Sequence, residues 1–223
     1  IKKDYTMNKL SQKIAVGLLS GAAAFSNVNA ETTEHDHHTM SESNGAQIIQ
    51  NSPIQNPSLA GTINEDGKIV TDADFEGQKR LIFFGFTHCP NICPTGMATI
   101  SAALRNIEKK HGADSLDDLT VLLVSTDPAR DTPAQMKEWL GYFHDKIIGL
   151  TGDEDILKEK AENYRANKIG HHSPYLYIMD EQGAYMDIVS TQKGVEAVEN
   201  KIEENIFKTA PKSEHDHHMH HDM

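Results

Sequence analysis

Between residues 57 and 209 the apolar positions fall into two rhythms. Residues 80–86 (RLIFFGF) and 119–125 (LTVLLVS) are near-continuous apolar runs, which predicts strands buried on both faces. Residues 147–150 form a third, shorter run. After the first run, Met97, Ile100, Leu104 and Ile107 recur at helical spacing, and that helix is expected to end near His111 and Gly112. After the second run, Thr132 supplies a helix cap and Pro133 the first helical position, with Met136, Leu140 and Phe143 on one face. Residues 153–166 predict another helix. Residues 174–180 and 184–190 predict two strands joined by a turn at Glu181, Gln182 and Gly183. Val195, Val198, Ile202 and Ile206 mark a last helix. Residues 60–70 read as a hairpin turning at Asp66 and Gly67.

The order is β-α-β-α followed by β-β-α. It predicts an α/β fold, a thioredoxin-like sheet with flanking helices and an N-terminal hairpin. It also puts a strand-to-helix turn directly after the first core strand.

The ends of the chain break the rhythm. From Met7, the basic Lys9 and Lys13 precede a short apolar stretch, residues 14–25, and then Val28, Asn29 and Ala30. This reads as a secretory signal over residues 1–30, or 7–30 if Met7 is the start. The apolar stretch falls short of the roughly 20 residues that span a bilayer. The expected location is the periplasm, soluble after signal cleavage, with an inner-membrane anchor facing the periplasm as the alternative. Residues 31–56 and 210–223 lack apolar periodicity and are expected to be disordered.

Composition sharpens this division. Of 223 residues, 38 % are hydrophobic, low for a globular chain, and the shortfall lies in the tails. The formal net charge of −12 argues against a nucleic-acid partner, which requires cationic side chains against phosphate. A mean hydropathy of −0.52 excludes a polytopic membrane protein. Of thirteen histidines, eight lie in the tails: His35, His37, His38, His215, His217, His218, His220 and His221, with Met40, Met219 and Met223 nearby. Imidazole with thioether suits copper, so auxiliary metal capture by the tails is expected.

The chain has two cysteines, Cys89 and Cys93, on the strand-to-helix turn. If the helix starts near Cys93, the thiols face each other, and the helix N-terminus favours thiolate over thiol. Such a pair suits a soft ion such as Cu(I), or reversible disulfide chemistry. A structural staple is the third reading, although so short a loop closes little chain entropy. Two thiolates leave a metal under-coordinated. His171 and His172, just before the strand at residues 175–179, are the candidates for a third ligand.

The stretch from Phe83 to Pro94 (FFGFTHCPNICP) resembles the signature of the SCO/SenC family. Residues 124–133 (VSTDPARDTP), residues 149–152 (GLTG), and His172-Ser173 followed by Tyr177 and residues 180–183 resemble that family's later blocks. These are thioredoxin-fold copper proteins of cytochrome c oxidase assembly. The resemblance implies that Cys89, Cys93 and His172 bind one copper ion as Cu(I). As Cu(II) the ion would take a further weak ligand, and Asp127 is an accessory candidate. It implies a metallochaperone delivering copper to a cuproprotein, such as the binuclear site of oxidase subunit II, rather than an enzyme. Two other functions remain open. One is a thiol–disulfide oxidoreductase using Cys89 and Cys93 with a thiol redox partner. The other is periplasmic copper buffering or defence through the His-rich tails.

Overall fold

In a computed structural model, the structure describes residue 54, residues 57–166 and residues 173–207. The expected signal at 1–30, nearly all of 31–56 and the tail at 210–223 lie outside these. Two strands, β2 (Lys79–Gly85) and β3 (Leu119–Ser125), run side by side and parallel at the centre of a six-stranded sheet. They are the two apolar runs, and both are buried on both faces, which is why neither shows alternation. Beyond β3 lie β4 (Ile147–Thr151), parallel, and β1 (Ile63–Asn64), antiparallel at the edge. On the other side of β2 lie β5 (Tyr175–Met179) and β6 (Tyr185–Ser190), each antiparallel to its neighbour.

Among the described residues, four α-helices cover this sheet: α1 (Ile92–His111), α2 (Pro133–Leu140), α3 (Glu154–Asn163) and α4 (Val195–Ile206). The pleat sorts the strand residues between two layers. Leu81, Phe83, Val121 and Leu123 face Met97, Ile100, Leu104, Met136, Val198 and Ile202 of α1, α2 and α4. Ile82, Phe84, Leu122 and Val124 face Leu157 of α3, Tyr164 and the N-terminal segment around Leu59 and Phe75. The expected sheet with helices on both faces is therefore present. Among the described residues, no helix is long and apolar enough to cross a membrane.

Several local expectations hold, and others shift. Thr132 caps α2, its hydroxyl accepting from the Gln135 amide at 3.2 Å, and Pro133 occupies the first turn. But α2 ends at Leu140, so Phe143 is not on its face. The chain leaves the helix at Gly141 in a tight turn, with the Phe143 N–H donating to the Leu140 carbonyl at 2.9 Å, and the Phe143 ring packs 4.6 Å from that of Trp139. The helix expected at 153–166 is shorter at both ends: Asp153 is its cap, the carboxylate accepting from the amides of Asp155 and Ile156, and the chain leaves the helix at Tyr164, before Arg165 at φ 60°. The hairpin reduces to the two residues of β1 and one bridge between Ile63 and Ile69, closed by Gly67 at φ 77°.

One close approach ties the sheet to the helix that follows it. At Gly85, the last residue of β2, an added Cβ would lie 2.8 Å from Cys93 Sγ and 3.1 Å from the Phe83 ring. Glycine there lets α1 begin directly over the strand end. The Gly85→Ala variant is expected to lose about 1–3 kcal/mol through overpacking. An unchanged urea midpoint at constant slope would show that the helix start is not packed against this position.

Candidate metal centre

The turn between β2 and α1 carries both cysteines. The Cys89 amide donates to the Phe86 carbonyl at 3.3 Å, which closes the turn. Asn91 stands at the helix cap position, but its side chain makes no capping bond. The Cys89 sulfur fills that role instead: the Cys93 amide donates to Cys89 Sγ at 3.4 Å. An orphan N–H of the first helical turn thus meets a sulfur, and the i, i+4 spacing puts both thiols at one helix start. No disulfide joins them.

Burial overturns part of the electrostatic expectation. Cys93 is fully buried, and its thiol is pushed from an ordinary value near 9 up to about 12. Desolvation is the main cause, and the Cys89 sulfur and the Asp131 carboxylate add to it; a hydrogen bond from the Phe86 backbone pulls the other way. The helix N-terminus does not win, because its pull on a charge falls short of the cost of removing a thiolate from water. Without metal, Cys93 is a thiol at neutral pH.

The loop is held from below by an acid that spacing did not single out. Asp131 is fully buried, at the end of the loop after β3. Its carboxylate accepts from the Thr87 amide at 3.1 Å, the Thr87 hydroxyl at 2.6 Å and the Ser125 hydroxyl at 2.7 Å. Such charge-assisted bonds are each worth about 1.5–3 kcal/mol. The Thr87 hydroxyl proton goes to Asp131. Its 2.9 Å contact with His88 Nδ1 is therefore a bond that the imidazole N–H donates. His88 is half-exposed and next to Cys89. The signal for Asp131 was present only as one acid among several polar residues after a buried strand. Nothing in spacing says which of Asp127 and Asp131 folds inward.

Asp127 takes the outward place. Its carboxylate pairs with the Arg130 guanidinium, accepting from Nε at 2.6 Å, and the guanidinium lies 5.8 Å from the centre of the Phe86 ring. Asp127 thus reaches the cysteine turn through Arg130 and Phe86. Among the described residues, no group of three or more His, Cys, Asp or Glu side chains is arranged to hold a metal ion. His172 lies outside the described residues, as do His171, His35, His37, His38, His215, His217, His218, His220 and His221. Its neighbour Ser173 is described and buried. β5 pairs with β2 in the register Phe83 to Leu176, so the chain entering β5 runs beside the cysteine end of β2. There the Pro174 carbonyl accepts from the Thr191 amide at 2.8 Å. The Thr191 hydroxyl lies 3.1 Å from where a Cβ on Gly96, in the first turns of α1, would stand.

Comparison with known proteins agrees with this arrangement. The SCO1/SenC family model matches residues 61–206. The Schizosaccharomyces pombe protein named Protein sco1 is 32 % identical over an alignment of 171 residues that covers 70 % of this chain and 63 % of that protein. The chain therefore spans less than two thirds of that curated relative. Among solved structures, yeast Sco1 with copper bound is 33 % identical, with a TM-score of 0.60 over 71 % of this chain and 99 % of that one. Bradyrhizobium japonicum ScoI with copper bound is also 33 % identical, with a TM-score of 0.56 over 65 % and 96 % of the two chains. A thioredoxin-like sheet, a two-cysteine turn opening a long helix, and a family match over almost all the described residues lead to one conclusion: the chain belongs to the SCO1/SenC family.

Proposed function

We propose that this chain is a copper-delivery protein acting outside the cytoplasm, in the periplasm, in the assembly of cytochrome c oxidase. Cys89, Cys93 and His172 take up one Cu(I) as cargo and pass it by ligand exchange to a cuproprotein, the binuclear copper site of oxidase subunit II. The observation that carries this reading is the pair of thiols at one helix start over the Asp131 anchor. Two soft sulfurs at a fixed spacing are the donor set that Cu(I) prefers, and relatives that are a third identical have been solved with copper bound. A signal over 1–30 delivers the chain to that compartment. The His-rich segments, 31–56 and 210–223, then catch copper loosely and raise its local supply.

The same turn also favours a second reading. The Cys93 N–H bonded to the Cys89 sulfur suits Cys89 to attack a partner's disulfide. In that cycle Cys89 and Cys93 would lose two electrons and two protons to form a disulfide, and the partner's disulfide would be reduced to two thiols.

Cu(I) loading separates the readings. In the delivery reading, the mature protein binds one Cu(I) tightly, with further weak equivalents. His172→Ala lowers the tight affinity by more than the roughly 10–100-fold that loss of an outer-shell partner costs a metal site. Deleting 31–56 and 210–223 removes only the weak equivalents. A tight site untouched by His172→Ala would sink the three-ligand site. A tail-less protein that binds no copper would leave buffering. Turnover on a disulfide partner, undiminished by His172→Ala, would favour the reductase.

The buried thiol adds a pH dependence with a definite sign. A metal ligand must be thiolate, and Cys93 holds its proton up to about pH 12. Uptake of Cu(I) between pH 6 and 9 therefore releases the Cys93 proton, and apparent affinity rises with pH throughout that window. Potentiometric titration should count at least one proton per Cu(I), and Cys93→Ser should lose it. A pH-independent affinity would contradict the protonated state of the apo site.

A further inference from the structure

Arg80 is the second residue of β2. The pleat turns it to the same face as Ile82 and Phe84, towards the layer containing Phe75 and Tyr164. It is 5 % exposed. Its Nε hydrogen-bonds nothing among the described residues. No carboxylate among them pairs with its guanidinium, which lies 5.8 Å from the centre of the Phe75 ring. A guanidinium this deeply buried, with its Nε unbonded and no carboxylate partner among the described residues, is costly, and an anion reaching its outer nitrogens would offset that cost.

Arg80 lines a cleft of about 780 Å³, together with Pro57, Ser58, Asp72, Phe75 and Gly183. Its acids are largely engaged elsewhere. Asp72 accepts from the Ser58 hydroxyl at 2.9 and 2.8 Å, and Glu181 pairs with Lys79 at 3.4 Å. Glu76 stands exposed in the lining. Gly183 closes the β5–β6 turn over the guanidinium at φ 81°, where a Cβ would overlap Arg80 Nη2. The turn can pass this close only as glycine. The cleft is separate from the cysteine turn. Five steps along the strand separate Arg80 from Gly85, about 17 Å at the usual rise.

We propose that this cleft binds a small monocarboxylate with an apolar stem, its carboxylate on the Arg80 fork and its stem against Phe75 and Pro57. The planar guanidinium matches a carboxylate edge to edge. The lining sets this one cation among Asp72, Glu76 and Glu181, so only a ligand whose single negative charge sits on the guanidinium is held, and each further negative charge is repelled. Phosphate, largely a dianion at neutral pH, is the wrong ligand.

The test is titration of the isotope-labelled full chain with benzoate and, separately, with inorganic phosphate, followed by amide shifts. Benzoate should give saturable shifts at Phe75, Arg80 and Gly183. Arg80→Gln should weaken it about tenfold or more, with an unchanged shift pattern at the cysteine turn. Glu76→Gln, an exposed change, should tighten it. Absence of saturable shifts, equal binding by Arg80→Gln, no gain from Glu76→Gln, or phosphate binding tighter than benzoate would each overturn the proposal. Should Arg80→Gln fail to fold, the wild-type comparison of benzoate with phosphate and the Glu76→Gln variant decide it.

Discussion

The buried Asp131 carboxylate is the constraint on which the cysteine turn depends. A parallel pair such as β2 and β3 has no hairpin to join its ends; the Thr126 N–H donates to the Gly85 carbonyl at 2.9 Å where the strands stop, and beyond that bond the loops are tied by side chains. Asp131 does this at a single point. It binds the amide and hydroxyl of Thr87, which leaves β2, and the hydroxyl of Ser125, which ends β3. Thr87 is two residues before Cys89. The position of the thiols relative to the sheet is thus set by a charge with no water around it, and leaving the carboxylate's donors unpartnered would cost more than the bonds nominally contribute.

That carboxylate has a second effect. Negative charge beside Cys93 opposes a second negative charge, and with burial it keeps the thiol protonated. The helix N-terminus and the carboxylate therefore pull in opposite directions on the same turn, and desolvation decides the outcome. A dipole argument made from sequence misses this, because the depth of Cys93 under the sheet is a tertiary fact. Only the close approach at Gly85 reveals it.

Much of the fold was legible for a plain physical reason. Strands buried on both faces must be apolar throughout, and β2 and β3 are. Helices with one covered face must show the helical period, and α1 and α4 do. Thr132 announced a helix start through cap chemistry that acts within a few residues, and Asp153, read as the first helical residue, caps α3 in the same way. What failed was non-local. Phe143 kept a helical spacing after the helix had ended. Arg80 fell within an apolar run, and nothing in its spacing showed a buried guanidinium without a carboxylate partner among the described residues. Asp127 and Asp131 are equivalent in composition, and only the packed loop turns one in and the other out to Arg130. Of the site itself, the cysteine pair and its place at a helix start were legible, but the acid beneath it was not.

Under the proposed copper role, the protonated state of Cys93 would bear on delivery as well as uptake. A thiolate stabilised by a helix dipole would remain a good ligand after its metal shifted towards a recipient, and would compete to take it back. A thiol whose proton returns below about pH 12 stops competing once the bond to copper lengthens. Asp131 sharpens this asymmetry: its charge favours a cation at the turn while one is bound, and favours a proton once it has gone. If the proposed copper site is right, the carboxylate that fixes the geometry of the thiols would also make its occupied and empty states differ in the protonation of Cys93 as well as in metal. A site of that kind would be suited to handing metal on, whereas a store would gain from thiolates that stay charged when empty.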